Sequence, residues 1–275
     1  MRYTYKEYMD LIDMPYEDKL IWSEQVILSA IKQSKKFCIS LSWGKDSIVM
    51  WHMIHKFCKN GYVLFANTGV EYPETYKYRD MMLSSDMMKD INYVETIPKT
   101  DKWGVKHDFW YCVKKYGYPT MRTRGKGNKV RLPKCCYHLK ESPMVAKEKE
   151  LGIDLNFMGI QGTESSNRSY LIRRMGYYYF NKHNQHNVCL PLCIWKDEDV
   201  KRYAAENNIP LNPLYNMMKR TGCMYCTGFK SWQVVMKQYN ERIYNHINKQ
   251  FQEKLSQSQI DINTPKQPIL KDCNI

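Results

Sequence analysis

Ser42, Gly44, Lys45, Asp46 and Ser47 fall within six residues, "SWGKDS", between two apolar runs. Two hydroxyls, a cation and a glycine packed this closely suit the holding of phosphate. Gly44 lets the backbone approach an anion, and Lys45 supplies positive charge. A helix starting near Ser47 would add free N–H groups and its dipole. Asp46 would orient the turn or help to hold a metal on the phosphates. The pattern is not G-x-x-x-x-G-K-[ST], so the loop of kinases and GTPases is excluded. The plain alternative is a polar strand–helix turn with no ligand.

A second set is built of sulfur. Of ten cysteines, Cys38 and Cys58 lie in apolar runs, as do Cys189 and Cys193 in "NVCLPLCIW", and these are expected to pack. Cys135 and Cys136 are adjacent, while Cys223 and Cys226 form C-x-x-C. Four thiolates are the ligand number of a [4Fe–4S] cluster or of tetrahedral zinc. Unliganded thiols are the third option. Neighbouring side chains diverge, which makes one zinc awkward for Cys135 and Cys136. Arg131, Lys134, His138 and Lys140 surround this pair and are expected to lower the thiol pKa values; His138 itself is expected at the surface or behind the ligands.

The elements that must position these groups follow from periodicity. Residues 16–34 carry a helix-period apolar stripe. "KFCISL" suits a buried parallel strand, and "SIVMWHMIHKFCKNG" a helix closed by Gly61. "YVLFAN", "INYVETI" and "DLNFMGI" read as further strands. "YPETYKYRDMMLS" reads as a helix with Pro73 in its first turn. "ESPMVAKEKELG", "KDEDVKRYAAENN" and "SWQVVMKQYNERIYNHINKQF" read as helices, and "IPLNPLYN" as extended. "TRGKGNKVR" reads as a loop, and the chain from 255 as a loosely held tail. The alternation implies an α/β, doubly wound parallel sheet. The expected layout is a helical lead-in (1–35), a main domain (36–230), and a C-terminal helix and tail (231–275).

The 275 residues are 43% apolar, enough for a real core, and carry a formal charge of +14. No run approaches the length of a membrane span. The N-terminus has no apolar signal region, so a cytoplasmic protein without a disulfide framework is expected. Residues 99–140 hold twelve Lys/Arg against two Asp/Glu. Such a segment is either a solvated basic loop or a surface for polyanions. The aromatic set Trp103, Phe109, Trp110, Tyr111, Tyr116 and Tyr118 could stack bases there or simply pack.

"SWGKDS" fits S-x-G-x-D-S, and in this the chain resembles the PP-loop ATP pyrophosphatases. "NTGVEYPETYKY", "GIQGTESSNRS" and "PLCIWKDEDVKRYAAENNIPLNPLYN" follow in order. They resemble the corresponding elements of the phosphoadenylyl-sulfate (PAPS) reductase family within that superfamily. The resemblance implies a Rossmann-like sheet of the adenine nucleotide alpha-hydrolase type, with a nucleotide at the carboxyl ends of the strands. It implies that Ser42, Gly44, Lys45, Asp46 and Ser47 hold phosphates. Asn67, Thr68, Gly69 and Gly159 would lie beside the nucleotide, and Glu164 and Arg168 near its anionic end. Lys45, Asp46 and Arg168 become the candidate catalytic residues. Asn67 stands where the family usually has an acid, and Gln161 where arginine is common. The arrangement CC…C-x-x-C resembles the iron–sulfur type of adenylyl-sulfate reductase, which implies a [4Fe–4S] cluster on Cys135, Cys136, Cys223 and Cys226.

Sulfonucleotide reductases carry a terminal redox cysteine in an E-C-G-x-H context. Here the terminal cysteine is Cys273 in "LKDCNI", without the glycine and histidine. Three readings follow. The first is an ATP pyrophosphatase, using ATP and Mg²⁺, that adenylates a DNA or tRNA acceptor docked on the basic 99–140 segment. Sulfur from a donor such as a cysteine desulfurase would then displace AMP. The second is a thioredoxin-dependent reductase of adenylyl sulfate or phosphoadenylyl sulfate. The third is a non-catalytic nucleotide-binding accessory subunit.

Overall fold

The apolar runs assemble into a six-stranded sheet whose central strand is the one feeding "SWGKDS". The computed structural model describes residues 2–119, 133–229 and 231–250. In chain order the strands are β1 (Phe37–Ser40), β2 (Tyr62–Ala66), β3 (Asn92–Thr96), β4 (Leu155–Met158), β5 (Tyr178–Asn181) and β6 (His186–Cys189). Their spatial order is β3-β2-β1-β4-β6-β5. All neighbours pair in parallel except β5, which runs antiparallel to β6. The chain winds outward from β1 through β2 to β3, then returns to β4 on the other side of β1. This reversal opens a crevice at the carboxyl ends of β1 and β4, the usual ligand position in open α/β sheets.

Helices cover both faces. Ile39, Val63 and Phe65 point into the main core, with α2 (Tyr16–Gln33), α3 (Lys45–Phe57) and α9 (Asp197–Glu206). Cys38 and Leu64 alternate to the other face, where Ile153, Met144 and Leu151 cover them. The lead-in is part of that main core. Tyr8 of α1 (Tyr5–Ile12) donates to the Cys193 carbonyl at 2.7 Å, and Lys19 of α2 pairs with Asp199 at 2.7 Å, both buried.

α4 (Pro73–Leu83) begins on Pro73 as its sequence predicts. Several elements depart from expectation. Gly61 does not close α3, which ends at Phe57 with Cys58 as its cap. A Cβ on Gly61 would overlap the Phe37 ring, so this glycine is there for packing. α5 (Phe109–Tyr116) forms in a stretch the basic composition suggests is loop; the Asp108 carboxylate caps it by accepting from the Tyr111 N–H at 2.8 Å. The "ESPMVAKEKELG" helix starts earlier, as α6 (Lys134–Cys136), passes through a π-helical turn (Tyr137–Glu141), and continues as α7 (Ser142–Leu151). Pro143 lacks the N–H an α-turn would need; the wider turn, in which Ser142 N–H bonds the Tyr137 carbonyl, carries the helix past it. Gly152 then ends it in the left-handed conformation. The "GTESSNRS" stretch yields α8 (Ser166–Met175), and "IPLNPLYN" ends in a 3₁₀ turn (Pro213–Asn216). The C-terminal helix is two helices: α10 (Trp232–Tyr239) stops at Asn240, whose side chain accepts from the Ile243 N–H and starts a second helix over 241–250. "TRGKGNKVR", the tail from 255 and Cys273 lie outside the described residues. Among the described residues no helix is long and apolar enough to cross a membrane.

Candidate functional site

The loop between β1 and α3 sits in the crevice, held by hydroxyls. Ser47 Oγ donates to the Gly44 carbonyl at 2.9 Å and accepts from the Ser42 N–H at 3.1 Å. With that proton committed, the Ser42 hydroxyl is the donor in its 3.1 Å contact with Ser47 Oγ. Gly44 occupies the N-cap position of α3 with no side-chain cap on the first turn. The Lys45 N–H donates to the Tyr215 hydroxyl at 3.1 Å. That hydroxyl lies 3.0 Å from where a Cβ on Gly44 would sit. Trp43, the residue S-x-G-x-D-S leaves free, is fully buried with φ 59°. Its ring meets Phe65, Tyr78 and Tyr93 edge-on or tilted, and its carbonyl accepts from Asn212.

Lys45 is 5% exposed and sits between two carboxylates, 2.7 Å from Asp46 and 2.8 Å from Asp197 at the start of α9. Burial opposes its charge, but the two carboxylates outweigh that and hold its pKa above the ordinary lysine value. Burial pushes Asp46 up against the pull of Lys45. Asp197, half exposed, is held below the ordinary value because hydrogen bonds from Lys201 and Lys45 outweigh its burial. Gly159, just past β4, presses on this loop: a Cβ there would lie 3.1 Å from the Asp46 carbonyl and from Ser47 Cα.

Glu164 and Arg168 form an ion pair one helical turn apart. Arg168 also lies close enough to Asp46 to favour its ionised form. Gln161, at the position where arginine is common, is buried and donates to the Lys196 carbonyl at 3.2 Å. A cavity of about 460 Å³ opens beside it, lined in part by Gln161, Glu164, Lys196 and Asp197.

The loop after β2 divides its attention. The Asn67 amide is engaged at both ends: its oxygen accepts from the Gly69 N–H and the Tyr76 hydroxyl, and its nitrogen donates to Glu95 at 2.9 Å. Gly69 takes φ 77°, which only glycine adopts freely. Thr68 is buried and donates to Glu71 at 2.9 Å; the Cys223 thiol lies 3.6 Å from Thr68 Oγ1 and 3.9 Å from the Glu71 carboxylate. Lys140 reaches the same Glu71 oxygen at 3.6 Å. The element expected beside the nucleotide therefore also touches the sulfur set.

The four cysteines come together from two segments, the first helical turn at 134–136 and the 223–226 turn. Contrary to expectation, the pull of basic neighbours does not hold Cys135, Cys223 or Cys226 below the ordinary thiol value. Cys135 is raised by its hydrogen bond to Cys136, then by burial and by the charges of Cys136, Cys226 and Cys223. Burial pushes Cys223 up to about 12 despite Lys140, and also raises Cys226. Arg131 lies outside the described residues. Lys140 is itself held above its ordinary value, chiefly by Cys223. A fifth thiol, Cys112 of α5, is pushed up to about 11 by burial, then by Asp108 and Cys136. Among the described residues no three His, Cys, Asp or Glu side chains close on a single metal ion. Four cysteines from two segments, whose thiolates would repel one another, are in number and type the donor set of a [4Fe–4S] cluster. His138 stands outside them, stacked on Tyr116.

The family model for the phosphoadenosine phosphosulfate reductase domain matches residues 36–229. The chain belongs to that family. Among its relatives, adenosine 5'-phosphosulfate reductase 2 of Bacillus subtilis is 25% identical over 229 residues, 82% of this chain and 86% of the relative. Phosphoadenosine 5'-phosphosulfate reductase of Photobacterium profundum is 25% identical over 70% of this chain and 67% of its own length. The phosphate complex of the PAPS reductase from Candida auris shares the fold, with TM-score 0.54 and 19% identity over 81% of this chain and 97% of that one. The family assignment agrees with the six-stranded, mostly parallel sheet.

Asp197, Tyr215, Glu71 and Cys112 were not singled out by their sequence context. Asp197 had one signal, its place among the acids opening "KDEDV", but only the fold shows that it reaches Lys45. Of the aromatic set, Phe109 and Tyr118 are buried packing residues, while Trp103, Trp110 and Tyr116 are exposed.

Proposed function

We propose that this member of the family is an adenine-nucleotide-dependent sulfur-transfer enzyme that adenylates a nucleic-acid acceptor with release of pyrophosphate. The observation that carries this reading is Lys45, buried at the start of α3 and shared by Asp46 and Asp197. A lysine poised between two carboxylates can turn to a phosphate, leaving the carboxylates for a metal on the same phosphates. Mg²⁺ is commonly bound by one or two carboxylates plus substrate phosphates, and Asp46 and Asp197 fit that need. When bound, Mg²⁺ would supply charge stabilisation for departing pyrophosphate.

In this reading the Ser42 and Ser47 hydroxyls and the α3 N-terminus orient the phosphate chain. Lys45 neutralises the oxygens that gain charge as the bond to the α-phosphorus breaks. Arg168, near Asp46, stabilises the same end. Cys135, Cys136, Cys223 and Cys226 would hold the [4Fe–4S] cluster, which would supply a site for relaying sulfide or a structural tie. The names of the relatives favour the second reading, a reductase of adenylyl sulfate or phosphoadenylyl sulfate.

Anaerobically purified protein, given ATP and Mg²⁺ with and without DNA or tRNA, is expected to release pyrophosphate. No release under any condition, together with sulfite release from adenylyl sulfate and thioredoxin, would establish the reductase instead. Iron bound to the wild type and lost in Cys135→Ser tests the thiol assignment.

A further inference from the structure

The described part of the basic segment exposes several large rings, and His107, Tyr111, Tyr116, Tyr137 and His138 touch one another. Trp103 is 75% exposed, Trp110 45%, Tyr116 42% and Tyr137 44%. Rings gathered in contact at the surface, unlike singly scattered ones, mark a docking site. Cations are interleaved with the rings. The Lys102 ammonium lies 4.4 Å from the Trp103 ring centre, and Lys115 lies 5.3 Å from Tyr111 and 5.5 Å from Tyr116. Flat stacks continue the surface: His107 lies on Tyr111 at 4.3 Å and 10°, and Tyr116 on His138 at 5.8 Å and 11°.

The two acids of the segment do not neutralise its lysines. Asp101 accepts from the N–H groups of Trp103 and Val105 and faces His107. Asp108 caps α5. Both spend acceptors on backbone N–H groups, and the exposed Lys102, Lys106, Lys114 and Lys115 outnumber them, so the outer field is positive. The face also ends at the sulfur set. His138 follows Cys136 by two residues, and Trp110 packs on Tyr225, inside the C-x-x-C turn, at 5.0 Å.

We infer that the face formed by the 99–108 loop, α5 and the turn at 137–138 binds single-stranded nucleic acid and leads one nucleotide to the edge of the Cys135–Cys136 pair. This rests on the nucleic-acid acceptor proposed above and names where and in what form it binds. The rings choose the single strand: a duplex hides its base faces, whereas unpaired bases can stack on exposed aromatic side chains. The lysines match the phosphate chain, and each neutralised phosphate steepens the dependence on salt.

The test is fluorescence anisotropy with a labelled single-stranded RNA, the same sequence as single-stranded DNA, and its duplex, without ATP, at two salt concentrations. Single strands should bind the wild type more tightly than duplex. Trp103→Ala and Tyr116→Ala should each weaken single-strand binding by roughly five-fold or more, the usual scale for a lost base stack. The pair Lys114→Glu and Lys115→Glu should weaken it further and flatten the salt dependence. Equal affinity for duplex, or aromatic variants that bind like wild type while retaining its melting temperature, overturns the proposal. Pyrophosphate release measured on the same samples separates the two ideas. Nucleic-acid-stimulated release with unaltered binding in the variants removes this face but leaves the reaction. Variant-sensitive binding without any release leaves the face but removes the reaction.

Discussion

Replacing Asp197 by asparagine separates two effects that the Lys45 geometry ties together. Asp197 is 49% exposed and bridges Lys45 at 2.8 Å and Lys201 at 2.7 Å. Ion pairs this open contribute at most about 1 kcal/mol to stability. Lys45 would keep Asp46 at 2.7 Å, so the loop should stay folded. Without metal, phosphate then competes with one carboxylate instead of two for the Lys45 ammonium. A gain of up to about 1 kcal/mol corresponds to nucleotide binding roughly five-fold tighter. With Mg²⁺ the sign reverses, because one of two carboxylates for the metal is lost, and pyrophosphate release should fall on the order of 10²-fold. Calorimetric titration of ATP in chelator and in Mg²⁺, paired with a pyrophosphate assay, reads both effects. An Asp197→Asn protein with wild-type release and an unchanged metal requirement would refute the metal role. Weaker binding in chelator would refute the competition for Lys45.

Gly159→Ala should fold but bind nucleotide about ten-fold more weakly, since its Cβ would meet backbone of Asp46 and Ser47 at 3.1 Å and displace the loop; wild-type affinity would show that the loop tolerates the shift. Lys19→Ala leaves the buried Asp199 without its cation, holding only the Lys196 N–H at 2.7 Å, and should cost about 3–5 kcal/mol, whereas Lys19→Met together with Asp199→Leu should recover part of it, less the lost Lys196 bond; denaturant melts of the three proteins decide. His52 is pushed down to about 4, mainly by burial and then by Lys56 and His55. It is neutral in the folded protein while the unfolded chain takes up a proton near its ordinary value. Its contribution is therefore complete above about pH 6.5 and is lost as pH falls towards 4, by up to about 2 kcal/mol after solvent screening. Urea melts at pH 7 and pH 4.5 should show a smaller acid loss in His52→Asn than in wild type.

The strands and the helices after them could be read from the sequence because each carries its own period and punctuation: "KFCISL" before the loop, Pro73 opening α4, Gly152 ending α7. What could not be read depends on partners distant in the chain. α5 hides in a basic stretch because its core contacts, Phe109 against Tyr118 and Tyr225, come from later segments. The π-turn follows from Pro143, yet nothing local says the helix should begin before it. The hydroxyls and Lys45 of the loop are grouped in sequence, so the candidate phosphate site was legible. Asp197 and Tyr215, each some 150 residues or more from Lys45, were not. The raised thiols show the limit of counting charges: basic neighbours in sequence matter less than burial and the other three sulfurs.

Trp43 has a thermodynamic consequence for whatever the loop binds. A left-handed φ on a non-glycine residue costs on the order of 1–3 kcal/mol, and here a buried indole against Phe65, Tyr78 and Tyr93 offsets it. The strain and the loss of backbone freedom are thus met when the protein folds, not when a ligand arrives. A loop that must be ordered on binding subtracts that entropy from affinity. This one is anchored at its second residue by the fold itself, so the phosphate proposed to enter the crevice would meet an ordered backbone, and Ser42, Ser47 and Lys45 would only have to exchange their present partners for it.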